Sequence, residues 1–195
     1  MVMKVLLVNG SRREKGCTYT ALSIVAEALN REGIETEIFF VGKRAVSGEV
    51  ESLVNELAEK TREADGFVFG SPVYYASPSG EIQVVLDRLF SCATAELRCK
   101  PAASIVSARR GGTTAAIDVL NKYATINEMP LVSSCYWNMV HGNTPEEVMQ
   151  DREGVEVMQI LGRNMAWLIK SIEAGKREGV VQPAPAKKER TNFIR

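Results

Sequence analysis

The nine residues Gly10-Ser11-Arg12-Arg13-Glu14-Lys15-Gly16-Cys17-Thr18 crowd two hydroxyls, two arginines and two glycines into one polar loop. These residue types suit a single phosphate. The hydroxyls of Ser11 and Thr18, the guanidinium of Arg13 and the backbone N–H groups from Gly16 to Thr18 are all anion donors. The spacing is neither G-x-G-x-x-G nor G-x-x-x-x-G-K-[ST], so neither a dinucleotide fingerprint nor a nucleotide-hydrolysing loop is present. Two further stretches share the shortage of acid. Ser71–Gly80 carries no charge at all, and Ser107–Thr113 carries Arg109 and Arg110. Glu14 is the one acidic residue in the three stretches. The competing interpretation is ordinary polar turns with solvated arginines.

Other chemistries start at a disadvantage. There is one histidine, His141, and the four cysteines (Cys17, Cys92, Cys99 and Cys135) form no C-x-x-C pair. Zinc ribbons, dithiol redox sites and closed Cys/His metal sites are therefore not expected, and neither is histidine-based hydrolysis. No metal ligand is assigned.

The elements that must position these loops alternate in type. Met3–Asn9 is a short apolar run that predicts a buried parallel strand. A helix follows from about Cys17, with Leu22, Val25 and Leu29 on one face and Gly33 closing it. Strands are predicted at Ile34–Val41, Gly66–Gly70, Ala102–Ser107 and Leu131–Cys135. Helices are predicted at Val50–Arg62, Glu81–Ser91, Thr113–Asn127 and Asp151–Ala174. Such alternation implies a doubly wound α/β sheet, whose ligands lie beyond the carboxyl ends of the strands. All three acid-poor loops fall on that edge.

The first loop, with its Gly10-Ser11, Arg13 and Gly16-x-Thr18, resembles the phosphate loop of the flavodoxin-like NAD(P)H-dependent FMN reductase family. Gly70-Ser71-Pro72-Val73-Tyr74-Tyr75, running on through Gly80 to Leu86-Asp87-Arg88, resembles that family's flavin-contacting loop and following helix. The resemblance implies a five-stranded parallel sheet of order 2-1-3-4-5 and FMN as cofactor. By position, Ser11, Arg13, Gly16, Cys17 and Thr18 would hold the phosphate. Pro72, Val73, Tyr74 and Tyr75 would line the isoalloxazine and ribityl chain. Ala108, Arg109, Gly111 and Gly112 would approach the ring. Two departures stand out: Arg12 where the family often has Pro, and Cys17 where it often has Asn. The chain is also similar to the iron–sulfur flavoproteins, yet the stretch Val41–Val50 holds no cysteine. Cluster ligation takes about four thiolates, so no cluster is expected.

The resemblance implies hydride transfer from NADPH or NADH through flavin N5 to a small acceptor such as flavin, a quinone, or an azo or nitro compound. No side chain is assigned a catalytic role. Arg109 and Arg110 would stabilise an anionic reduced flavin and so favour two-electron transfer, or would hold a nucleotide phosphate. The alternative is a one-electron flavodoxin-like carrier without NAD(P)H turnover. A weaker third is a phosphate-binding module without flavin. Cys17 at a helix start should have a lowered pKa if exposed. Trp137 is expected in the core, and His141 is expected to act as a structural hydrogen-bonder.

Balanced charge, 24 basic against 24 acidic residues, argues against nucleic acid as a partner. The absence of an apolar run of roughly 18 residues argues against a membrane span, and a cytoplasmic location is expected. Residues 1–175 form the expected FMN domain. Residues 176–195 form a tail, either disordered or an arm between subunits of a homodimer or homotetramer.

Overall fold

The computed structural model describes residues 2–185, 189, 191 and 193. Five strands run parallel: β1 (Lys4–Asn9), β2 (Glu35–Phe40), β3 (Gly66–Tyr74), β5 (Ala102–Ala108) and β6 (Met139–His141). The two-residue β4 (Ser77–Pro78) turns back antiparallel on β3. The spatial order β2-β1-β3-β5-β6 is the expected 2-1-3-4-5 arrangement once the β4 hairpin is set aside.

Alternation along each strand sorts the core into two halves. Leu6, Val8, Phe67 and Phe69 pack toward α2 (Val50–Glu63), α3 (Gly80–Cys92) and α5 (Thr113–Ile126). Val5, Leu7, Val68 and Ile105 pack toward α1 (Cys17–Arg31) and α7 (Arg152–Arg177). Because both faces are covered, the inner strands β1, β3 and β5 are predominantly apolar, as in buried parallel sheets, whereas the edge strand β2 opens with Glu35-Thr36-Glu37. Two short helices, α4 (Thr94–Leu97) and α6 (Pro145–Val148), and a 3-10 helix at Gly42–Val46 complete the described residues.

Three differences from expectation have physical causes. The last strand is Met139–His141, whereas Leu131–Cys135 makes a single bridge, Ala102 to Leu131. Leu131 is half-exposed, and Ser134 turns the chain by bonding Tyr136 O and Asn138 Oδ1. The fully buried Val140 therefore takes the place at the sheet edge. Second, β3 continues through Ser71–Tyr74, where a loop was expected, because Gly70, Ser71 and Pro72 still pair with β5. Third, Trp137 is 56% exposed and meets Tyr136 edge-on at 4.9 Å, so it does not pack in the core.

In the tail, Lys176 and Arg177 belong to α7, and the Pro183 carbonyl accepts a hydrogen bond from Arg98 at 2.8 Å. The tail expected over 176–195, disordered or an inter-subunit arm, falls in part on residues 186–188, 190, 192, 194 and 195, which lie outside the described residues.

Candidate functional site

The loop after β1 is shaped from within. Asn9, fully buried, donates from Nδ2 to Glu14 O at 2.9 Å and accepts from Ser11 N at 3.1 Å. Ser11 Oγ then accepts from Arg13 N at 3.1 Å. These turn-type bonds compete with helix formation, so α1 does not begin until Cys17. Its N-cap, Gly16, supplies no side-chain bond, and its first turn holds no acid. By contrast, Ser79, Thr144 and Asp151 cap α3, α6 and α7 with side-chain oxygens. The open N-terminus of α1 keeps its partial positive charge for a ligand.

The β3–β4 hairpin is tied to this loop. Ser79 N donates to Ser71 Oγ at 2.9 Å, and Ser79 Oγ donates to Gly10 O at 2.6 Å. Gly10 N donates to Gly70 O at 2.8 Å. Only glycine fits at position 10, since a Cβ there would stand 2.5 Å from Ile82 Cβ. At the hairpin tip Tyr75 and Ala76 both have left-handed backbones, φ 52° and 58°, as a two-residue turn of this hand demands. Gly112, φ 93°, presses on the tip; a Cβ there would lie 2.8 Å from Ala76 Cα. Three loops are thereby locked to one another.

Together they enclose a cavity of 380 Å³ at the carboxyl ends of the strands. From the residues expected at a site, Ser11, Arg13, Gly16, Cys17, Thr18, Pro72, Val73, Tyr74, Ala108 and Arg109 line it. Tyr75 projects fully into solvent, and Gly111 and Gly112 stand outside the wall. Arg12, Ser107, Gly142 and Asn143 also line it. Ser107 opens the third acid-poor stretch but was not among the residues expected at the site, and Asn143 carried no local signal because it reaches the cavity through strand order. Thr18 Oγ1 and Ser107 Oγ, both buried, are hydrogen-bonded at 2.9 Å in its wall. No carboxylate lines the wall, while three arginines do. Arg13 and Arg109 have no ion pair among the described residues. A larger hollow of 540 Å³ is built from α2 and α3 side chains alone and mixes Glu51 and Asp87 with Arg88. It lacks the convergent donors of the first.

Burial pushes the Cys17 thiol up from its ordinary value, against the lowering expected for an exposed thiol at a helix start. Its Sγ donates weakly to Gly142 O at 3.7 Å. Thiol labelling at neutral pH should therefore modify the exposed Cys92 and Cys135 well before Cys17. Mass-spectrometric mapping of a limited labelling reaction checks this, and early labelling of Cys17 would contradict it. His141 anchors its segment through its backbone, donating to Asp151 Oδ2 at 2.6 Å. No helix among the described residues is long and apolar enough to cross a membrane.

The donor set fits a phosphate monoester: an uncapped helix start, two hydroxyls and an unpaired arginine, with no acid to repel the anion. Fold and site together define a flavodoxin-like α/β protein with an anion cradle at its strand ends. Residues 3–144 match the NADPH-dependent FMN reductase family, and the chain belongs to it. An iron-sulfur flavoprotein of Methanocaldococcus jannaschii is 28% identical over 192 residues, covering 88% of this chain and 100% of that protein. One from Archaeoglobus fulgidus is 27% identical over 168 residues, covering 78% and 83%. Among solved structures, RosB with bound 8-demethyl-8-formylriboflavin-5'-phosphate is similar at a TM-score of 0.69 and 16% identity, over 100% of this chain and 96% of that one. The flavodoxin-like WrbA-like protein of Agrobacterium tumefaciens is similar at 0.65 and 15%, over 88% and 99%.

Proposed function

We propose that the protein is an FMN-dependent oxidoreductase that takes hydride from NADPH or NADH and passes it to a small acceptor as an electron pair. The observation that carries this is the 380 Å³ cavity with three arginines, no carboxylate and the uncapped start of α1. In this reading Ser11, Thr18, Arg13 and the N–H groups of Gly16 to Thr18 hold the FMN phosphate. Pro72, Val73, Tyr74, Ala108 and Arg109 would line the ring. Gly112 serves indirectly, by its close approach to Ala76 at the hairpin tip, while Tyr75 and Gly111 remain open to the ligand from the solvent side.

The chemistry FMN supplies when bound is hydride acceptance and delivery at its N5. The proton that an acceptor takes up after hydride delivery would come from solvent at the open face, since the cavity wall carries neither histidine nor carboxylate. Arg109 places an unpaired cation beside the ring, where negative charge on the reduced form is stabilised. That charge distribution supports two-electron chemistry over a one-electron carrier. The acceptor is a small molecule reaching the open face of the cavity, and a homodimer or homotetramer is the expected assembly.

Anaerobic titration of the FMN-loaded protein with NADPH and then NADH tests the reading. Direct bleaching of the flavin band, without the long-wavelength absorbance of a one-electron form, is the expected result. A flavin spectrum unchanged by both nucleotides would make the protein a carrier, and failure to retain FMN at all would remove the site assignment.

A further inference from the structure

Glu81, in the first turn of α3, is 1% exposed. Its Oε1 accepts from Arg12 Nε, and its Oε2 has no hydrogen-bond partner among the described residues. A buried carboxylate with a single partner is expensive, and the helix does not need it as a cap, because Ser79 Oγ already accepts from Ile82 N. The carboxylate does have one evident effect, which is to hold Arg12.

Arg12 is an unusual place for a held side chain. It is 62% exposed and lines the same cavity as Arg13 and Arg109. Only its Nε is engaged, so both Nη groups remain without a partner among the described residues. The two adjacent arginines also serve different places. Arg13 packs beside Gly16 at the start of α1, where a Cβ on Gly16 would stand 3.3 Å from Arg13 Cβ, whereas Arg12 reaches across to Glu81 at the start of α3. In the proposed reading the FMN phosphate would occupy the helix start. A second anion on the α3 side would meet a guanidinium whose free edge is oriented in advance, the arrangement that favours bidentate recognition of a phosphate monoester.

We propose that Arg12 is a specificity-determining residue that binds the adenosine 2′-phosphate of the hydride donor, with Glu81 as its positioning residue, so that NADPH is preferred to NADH. This rests on the reductase reading above, which supplies the nicotinamide nucleotide as substrate. At this position the chain has a fork and the buried carboxylate that aims it.

The test uses the full chain loaded with FMN. Calorimetric titration with adenosine 2′,5′-bisphosphate, and with 5′-AMP as its counterpart lacking the 2′-phosphate, reads binding without turnover. Steady-state kinetics with NADPH and NADH reads selectivity. Because Arg12→Ala alone strands a buried charge, the main variant is Arg12→Ala combined with Glu81→Gln, beside Glu81→Gln and Arg12→Lys separately. The double variant should bind the bisphosphate about tenfold more weakly. Its kcat/KM ratio for NADPH over NADH should fall about as far, through KM and not kcat. Glu81→Gln should show a smaller loss in the same direction, and Arg12→Lys should recover part of it. Bisphosphate affinity and selectivity within about twofold of wild type would overturn the proposal. So would a loss confined to FMN affinity, which would assign Arg12 to the cofactor's own phosphate. If neither nucleotide bleaches the wild-type flavin, the reductase reading fails, and the bisphosphate titration still decides whether Arg12 binds a monoester.

Discussion

Replacing Arg13 by alanine is expected to weaken FMN binding by about ten- to a hundredfold. Arg13 lines the cavity at the start of α1 and has no ion pair among the described residues, so its charge is uncommitted until an anion arrives. A hydrogen bond to a charged group contributes about 1.5–3 kcal/mol, and each 1.4 kcal/mol is roughly tenfold in affinity. Arg13→Lys keeps the charge but loses the planar fork, so it should recover only part of the loss. Arg31→Ala, at the far end of the same helix and paired with Glu27, is the appropriate control. Flavin-fluorescence titration at fixed ionic strength measures all three. An Arg13→Ala variant within about twofold of wild type would remove Arg13 from the cradle. Raised salt should weaken wild type more than Arg13→Ala, because screening acts on the charge that the variant lacks.

Phe69→Ala should produce the largest loss of stability. Phe69 is fully buried on β3, with ring centroids 6.1 Å from Phe67 and 5.8 Å from Phe90. Phe90 passes the contact on to Tyr123 at 5.4 Å, so the aromatic row ties the central strand to α3 and α5. Truncating such a ring costs about 3–5 kcal/mol, a large share of the roughly 5–15 kcal/mol that a domain has. The melting temperature should fall by about 2–4 °C for each kcal/mol. The same experiment separates stability from binding. FMN binds the folded state, so it should raise the melting temperature of both proteins by linkage. An equal rise in the two would show that the loops keep their shape although the strand beneath them is weakened. A melting temperature unchanged by Phe69→Ala would mean that the aromatic row is not part of the cooperative core.

The parts of the molecule that were legible in the chain are those written locally. The starts of α1, α2 and α5 at Cys17, Val50 and Thr113 follow from apolar residues at spacings of three and four, preceded by glycine or polar residues. The strands Lys4–Asn9 and Ala102–Ala108 follow from short apolar runs that parallel sheets bury on both faces. Leu131–Cys135 misled because an apolar run shows what can be a strand, while pairing decides what is one. Met139–His141 has weaker local character but lies beside Val106–Ala108. Tyr75 shows a related effect. Its place in the flavin-loop pattern is clear, yet the left-handed turn it occupies sends its ring into solvent.

By itself the sequence determined the alternation of strands and helices, the three acid-poor loops, and a single histidine with no C-x-x-C pair. Those follow from residue type and period, which act over a few positions. Only the tertiary structure decided that Arg12 meets Glu81, 69 residues away, and that Cys17 is covered by Gly142, 125 residues away. It also decided that Ser79 holds the hairpin to Gly10. These contacts depend on strand order and crossover, which bring distant loops to one edge of the sheet. There the burial of a charge or a thiol is set by neighbours that no local pattern specifies.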